Sequence, residues 1–152
     1  MGTTSRSARS LRRDRNTKRE GEHQLKNNRL LTIASLLSIL FMTFHLADDI
    51  ARGFEKGGLS NLTAVPILVI WLYGTLVLAE RRSGYVIILL GSIMGSGIPV
   101  IHFMRAGGVV GGEIAKSGGA LFFAWTLLAL GVTAVFSVIL SARALLGWRR
   151  HQ

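Results

Sequence analysis

The chain alternates between long apolar runs and short polar segments. The first run extends from Leu30 to Ala47 and contains no ionisable side chain until His45. At a helical rise of about 1.5 Å per residue it covers roughly 27 Å, close to the hydrocarbon thickness of about 30 Å. Residues 62–79, 85–104 and 120–142 form three similar runs, each bounded by charge or glycine. We predict four transmembrane helices, because a helix satisfies its backbone hydrogen bonds within lipid.

The predicted fold is an all-α integral membrane protein, with four transmembrane helices in an antiparallel up-down bundle and a disordered basic N-terminal arm. The arm covers residues 1–29, and the transmembrane domain covers 30–148, with helices at 30–52, 62–80, 84–105 and 119–147. A mean hydropathy of +0.42 beside a pI near 11.5 indicates that apolar and charged residues are segregated along the chain. The chain contains no cysteine, which excludes disulfides and thiol chemistry.

The positive charges predict the topology. Of the 18 lysines and arginines, 14 lie in the arm, between the second and third predicted helices, or at the C-terminal end of the chain from Arg143 onward. The other segments carry Arg52, Lys56, Arg105 and Lys116. By the positive-inside rule both termini are cytoplasmic, which predicts a multi-pass protein of a bacterial inner (plasma) membrane. The arm is expected to touch anionic lipids. Nucleic-acid binding is not expected, since no aromatic residue interleaves these charges.

The third predicted helix carries a face of small residues, and it also contains Pro99. Gly91 with Gly95, and Ser92 with Ser96, repeat the spacing that allows close helix packing in lipid. We expect this face to pack within the bundle rather than to form a homo-oligomer, although a homo-oligomer or a membrane partner subunit stays open. Pro99 is predicted to kink the helix.

Two polar stripes are predicted to face the interior of the bundle. On the first helix the stripe has steps of three and four residues and consists of Ser35, Ser38, Met42, His45, Asp49 and Arg52. The third helix carries Ser92, Gly95, Pro99 and His102 with the same steps. Both helices run toward the outer side in this topology, so His45 and His102 should lie at similar depth. Their predicted neighbours are Asp48, Arg52, Arg105 and Glu113.

Several interpretations of this cluster are compatible with the residues. Asp48 and Asp49 could pair with Arg52 at the helix end, which requires no function. His45, Asp49 and His102 could ligate zinc, manganese or iron, with Asp48 as a ligand or as a partner of one. His45 and His102 could instead hold haem b, or the cluster could serve a proton or cation pathway. The aromatic residues Phe122, Phe123 and Trp125 could cover the histidine region or anchor the fourth helix at the interface, and anchoring is the expectation.

We therefore expect a small inner-membrane protein without catalytic activity, acting as a binding, sensing or accessory subunit with a polar histidine and aspartate cluster at the outer leaflet. The alternatives are a protein that binds a divalent metal or haem through His45 and His102, and a small transporter or channel component.

Overall fold

The computed structural model describes residues 4–51, 64–104 and 119–149, and in these ranges it contains four helices and no strand. The helices are α1 (Thr4–Ala51), α2 (Ala64–Leu76), α3 (Arg82–Met104) and α4 (Ala120–Arg149). Three of them contain segments long and apolar enough to cross a membrane, namely Arg15–Ala51, Arg82–His102 and Leu121–Gly147. The remaining helix, α2, is shorter.

The N-terminal segment differs from the disordered arm expected from the sequence, because residues 4–29 are helical. The physical reason is composition: residues 4–29 hold seven arginines and two lysines, which are good helix formers, lack proline, and contain a single glycine, Gly21. Residues 1–30 form one compact unit and residues 31–152 another.

Side-chain contacts within the second unit fix the directions of three helices. Near the start of α3, Tyr85 and Ile88 pack with Leu31 of α1 and with Leu140 of α4. Near the end of α3, His102 contacts His45 of α1 and Phe123 of α4. Within this unit α1 and α3 therefore run parallel, and α4 runs in the opposite direction.

The turn between α2 and α3 is tight and ends α2 before the predicted residue 80. Glu80 adopts a φ of 66°, a left-handed conformation that cannot continue a helix. The amide of Arg81 donates to the carbonyl of Leu78 at 3.0 Å. A Cβ atom at Gly84 would collide with that same carbonyl group of Leu78. The close approach between the end of α2 and the start of α3 therefore requires glycine at this position.

Trp71 joins α2 to the small-residue face of α3. A Cβ atom added at Gly91 would lie 2.5 Å from the indole ring, and one added at Gly95 would lie 3.2 Å from it. The indole therefore occupies the groove that these two glycines leave. At Gly91 and Gly95 this face receives a side chain rather than a helix backbone. Ser96 is half-buried and donates to the carbonyl of Ile93 at 2.8 Å, within its own helix.

A closed set of hydrogen bonds ties Trp71 to α1. The indole Nε1 donates to Ser35 Oγ at 3.0 Å, and Thr75 Oγ1 donates to the carbonyl of Trp71 at 2.9 Å. Ser35 Oγ and Thr75 Oγ1 are 2.8 Å apart. Because the Thr75 proton is directed to the carbonyl, Ser35 is the donor in this last bond. The three residues are buried, and their polar groups satisfy one another.

The bundle is apolar outside and partly polar inside. Its buried polar residues are Ser35, Ser38, His45, Asp49, Thr75, Ser92, Thr126, Ser137 and Ser141. Large apolar side chains are exposed along every helix, including Ile33, Val69, Leu90 and Val132. A water-soluble monomer seldom exposes apolar surface of this extent, so the distribution suits a lipid surrounding.

Candidate functional site

The candidate site begins with His45 and Asp49, which lie one turn apart on the buried face of α1. Their side chains are 4% and 10% exposed, respectively. Neighbours four residues apart share one face of a helix, so the spacing directs both groups to the same point. The stripe to which they belong also buries Ser35 and Ser38, as expected from its inward-facing pattern.

His102 completes the cluster from α3. Its Nε2 atom lies 3.1 Å from Nε2 of His45, and the two rings are nearly perpendicular, with an interplanar angle of 89°. The His102 side chain is 20% exposed, which makes it the most accessible member of the cluster. The parallel course of α1 and α3 brings the two imidazoles to the same depth.

The carboxylate of Asp49 faces both histidines. Its Oδ2 atom is 3.4 Å from Nε2 of His45 and 4.0 Å from Nε2 of His102. One ligand atom from each residue therefore lies within 4.8 Å of the other two. Buried ionisable groups are costly in a transmembrane bundle, and those that are present usually serve a site or pair with one another.

Phe123 of α4 closes one side of the cluster. It is fully buried, and its ring centroid lies 5.1 Å from that of His45 and 5.5 Å from that of His102. Leu127, one turn further along α4, is also fully buried and packs with Phe123. The expectation that Phe123 only anchors α4 is therefore wrong: its ring covers the histidine pair. The sequence feature that points to this contact is the position of Phe123 near the start of the fourth apolar run. In an antiparallel bundle that position lies beside the end of the third run, where His102 is found.

The donor atoms fit a divalent transition metal. Zinc bonds of about 2.0–2.1 Å and tetrahedral angles place ligand atoms about 3.3 Å apart, close to the observed 3.1 and 3.4 Å. The longest separation, 4.0 Å, needs only a small rotation of the carboxylate. Two histidine nitrogens and one carboxylate oxygen also form a donor set that such metals accept.

The two Nε2 atoms face each other at a distance that either a hydrogen bond or a metal ion can occupy. Without an ion, one Nε2 carries a proton and donates it to the other histidine or to Asp49. A metal ion would bind the lone pairs of both Nε2 atoms and leave the proton of each ring on Nδ1. A metal-bound histidine usually donates that proton to an acceptor. His45 Nδ1 has no hydrogen-bond partner among the residues that the structure describes, so this atom does not itself favour the ion.

A haem does not fit this arrangement. Metal–nitrogen bonds of about 2 Å on opposite faces of a porphyrin would separate the two Nε2 atoms by about 4 Å, with the macrocycle between them. Here the Nε2 atoms are 3.1 Å apart, and the Asp49 carboxylate lies beside both. The geometry therefore favours the metal over the haem.

The other predicted site residues lie beside the cluster or beyond the described ranges. Asp48 is half-buried and is not one of the three residues whose ligand atoms converge. Arg52, Arg105 and Glu113 lie outside the described residues. Pro99 lies inside α3 and is buried, with its ring close to Gly131 of α4. The predicted kink at Pro99 stays a prediction.

The comparisons with known proteins returned no match: no family model, no curated protein and no solved structure is similar to this chain.

Proposed function

We propose that this chain is a small integral membrane protein that binds one divalent transition-metal ion through His45, Asp49 and His102. The observation that carries the proposal is the convergence of three ligand atoms from two helices on one buried point. Zinc is the metal that the donor set and the spacings suit best, with manganese and iron as further candidates. The proposed role is binding or sensing, and no catalytic step is part of it.

The surrounding bundle supports a four-span arrangement in the membrane. Because α1 and α3 are parallel, the chain that connects them has to return across the bilayer before α3 begins. The connecting residues include α2, whose 13 residues cover about 20 Å. The apolar residues 77–79, which follow α2, add to this length. In the proposed orientation, which follows the positive-inside rule, both termini lie in the cytoplasm and the metal cluster lies at the outer leaflet.

The test is metal content. The full chain is purified in detergent, loaded with zinc, manganese, iron(II) or cobalt(II), dialysed, and analysed for bound metal per chain. We expect about one ion per wild-type chain, and a loss of at least tenfold in affinity for His45→Ala and for His102→Ala, because two ligands cannot hold the ion as three do. Asp49→Asn should also weaken binding, since it removes the only anionic ligand in the cluster.

Two further variants serve as controls. His23→Ala removes an exposed histidine far along the chain from the cluster and should leave the affinity unchanged. Asp48→Asn should have a smaller effect than Asp49→Asn. Wild-type protein that retains no metal, or equal losses in His23→Ala and His45→Ala, would contradict the proposal. A Soret band in the purified protein would establish haem instead.

A further inference from the structure

The three proposed ligand atoms form a triangle that fixes where an ion bonded to all of them lies. Nε2 of His45 is 3.1 Å from Nε2 of His102 and 3.4 Å from Oδ2 of Asp49, and the His102 and Asp49 atoms are 4.0 Å apart. A circle through the three atoms has a radius of about 2.1 Å, which equals the length of a zinc–nitrogen bond. An ion at this bond length therefore lies close to the plane of its three ligands.

Three ligands near one plane leave a further coordination position beside that plane. Zinc in proteins binds four ligands, and a site with three protein ligands completes the set with water or another small molecule. Within the residues that the structure describes, His45, Asp49 and His102 are the acids and histidines whose ligand atoms converge here. A rotation of the Asp49 carboxylate that shortens the 4.0 Å separation moves the ion toward one face of the triangle, and the fourth position then lies on that face.

The charge of the occupied site selects the class of the fourth ligand. A divalent ion bound by two neutral imidazoles and the carboxylate of Asp49 keeps one net positive charge. The side chains of His45 and Asp49 are nearly fully buried, and Phe123 beside the histidines is fully buried. An unbalanced charge is costly in such surroundings, and a bound anion removes it. An anion therefore suits the fourth position better than a neutral ligand does.

Access to the ion is from the side of His102. Its side chain is the most exposed of the three ligands, and it lies two residues before the end of α3 at Met104. The ring of Phe123 is fully buried, so it does not cover the exposed part of His102. Because the other two ligands are nearly covered, the opening suits an anion of a few atoms that binds through one atom.

We propose that the metal site takes a small monodentate anion, such as a halide, as the fourth ligand of its ion. This inference rests on the proposed metal site and names a second ligand for it. By thermodynamic linkage, the anion raises the affinity for the metal by the same factor by which the metal raises the affinity for the anion. Cation and anion therefore bind cooperatively, and the site responds to both.

The test uses cobalt(II) as the metal and azide as the anion. The full chain in halide-free detergent buffer is loaded with cobalt(II), freed of unbound metal and titrated with azide, while the visible absorption bands and the cobalt content are recorded. We expect the bands to shift saturably with one azide per cobalt and without loss of cobalt. Chloride should compete with azide. Formate should also displace it, whereas formamide, which is neutral and of similar size, should need a concentration at least about tenfold higher.

Two acidic residues of the chain are the alternatives to an exogenous anion. Asp48 is half-buried beside Asp49, and Glu113 lies outside the described residues. Asp48→Asn and Glu113→Gln should each bind azide at least as tightly as the wild type, because each removes a negative charge that repels the anion. An azide response that appears in one of these variants and not in the wild type would show that the carboxylate fills the fourth position, and would overturn the proposal. Equal displacement by formate and formamide would overturn the anionic class.

A second measurement follows the linkage directly. Cobalt affinity is determined by equilibrium dialysis in azide and in the same concentration of perchlorate, which coordinates metals poorly. We expect cobalt to bind at least about tenfold more tightly in azide. Bound cobalt whose affinity and absorption bands are the same in both salts would overturn the fourth ligand and leave the metal site standing. A chain that binds no cobalt in either salt would contradict the metal site itself, and this inference with it, so the two failures are distinguishable.

Discussion

Among single residues, glycines contribute to the packing of the bundle only where another side chain lies against them. Gly91 and Gly97 lie on the same helix, but only Gly91 faces Trp71, whereas a Cβ at Gly97 would meet nothing within 4 Å. The spacing of glycines alone therefore does not show which positions require a glycine for packing. A position requires one only where a neighbouring side chain occupies the space of the missing Cβ atom.

We predict opposite effects of the same substitution at these two glycines. Gly91→Ala should lower the free energy of unfolding by about 1–3 kcal/mol, because the added methyl group forces the indole out of its groove. Gly97→Ala should be neutral or stabilising by up to about 1 kcal/mol, since alanine is the better helix former. Thermal or denaturant unfolding in detergent measures both.

A double-mutant cycle locates the cause of the Gly91 effect. In a Trp71→Ala background, Gly91→Ala should cost little, because the colliding ring is gone. An equal cost in both backgrounds would mean that the clash with Trp71 is not the reason.

Buried hydroxyl groups provide a second contrast. Ser35 accepts from Trp71 and donates to Thr75. Ser92 Oγ is equally buried, but it has no hydrogen-bond partner within residues 4–51, 64–104 and 119–149. We predict that Ser35→Ala lowers the free energy of unfolding by about 1–3 kcal/mol, whereas Ser92→Ala is neutral or stabilising. Unfolding in the same detergent compares them, and a larger loss for Ser92→Ala would contradict the hydrogen-bond assignment.

Among the helices, α2 decides whether the proposed four-span arrangement holds, because that arrangement requires α2 to cross the bilayer. Its 13 residues are fewer than the roughly 20 that a full span needs. If the parallel helices α1 and α3 both cross the bilayer, however, the chain between them has to cross back. The short helix can suffice if flanking apolar residues extend it or if the bilayer thins locally, as happens under hydrophobic mismatch.

Reporter fusions test this return. A reporter that is active only in the cytoplasm should work when fused after Arg82 and after Gln152, and should fail when fused after Gly57. The expected pattern follows if α1 and α2 both cross, because fusion sites separated by one crossing lie on opposite sides. Activity at Gly57 with none at Arg82 would contradict the proposed orientation, and the same result at both sites, active or inactive, would show that α2 does not cross.

At the scale of the whole molecule, much of the helical architecture could be predicted from the sequence, because apolar runs of sufficient length have few alternatives in lipid. The burial of Ser35, Ser38, His45 and Asp49 on one face of α1 was also predictable, because these residues recur at steps of three, four and seven residues. The helical form of residues 4–29 did not follow, since charge density suggested disorder while intrinsic propensity favoured a helix.

The three residues whose ligand atoms converge were among those that the sequence indicated, but their geometry could not be predicted. Periodicity and depth indicated His45 and His102, yet the distance between their Nε2 atoms depends on how closely α1 and α3 pack. The role of Phe123 and the hydrogen bonds from Trp71 depend on rotamers and on contacts between helices. No pattern along a single helix contains that information.

The apolar side chains beneath the histidines limit what the molecule can do with a bound ion. Phe123, Leu127, Leu130 and Ala134 follow one face of α4 and are all fully buried. An ion held at the histidines, as proposed, would meet no oxygen or nitrogen ligand from these side chains on its way inward. The ligands available further inside would be hydroxyl groups on the facing helices, among them those of Ser38 and Ser92. Because neutral hydroxyl groups bind a divalent ion more weakly than two imidazoles and a carboxylate, release toward the side of entry would be favoured over passage through the bundle.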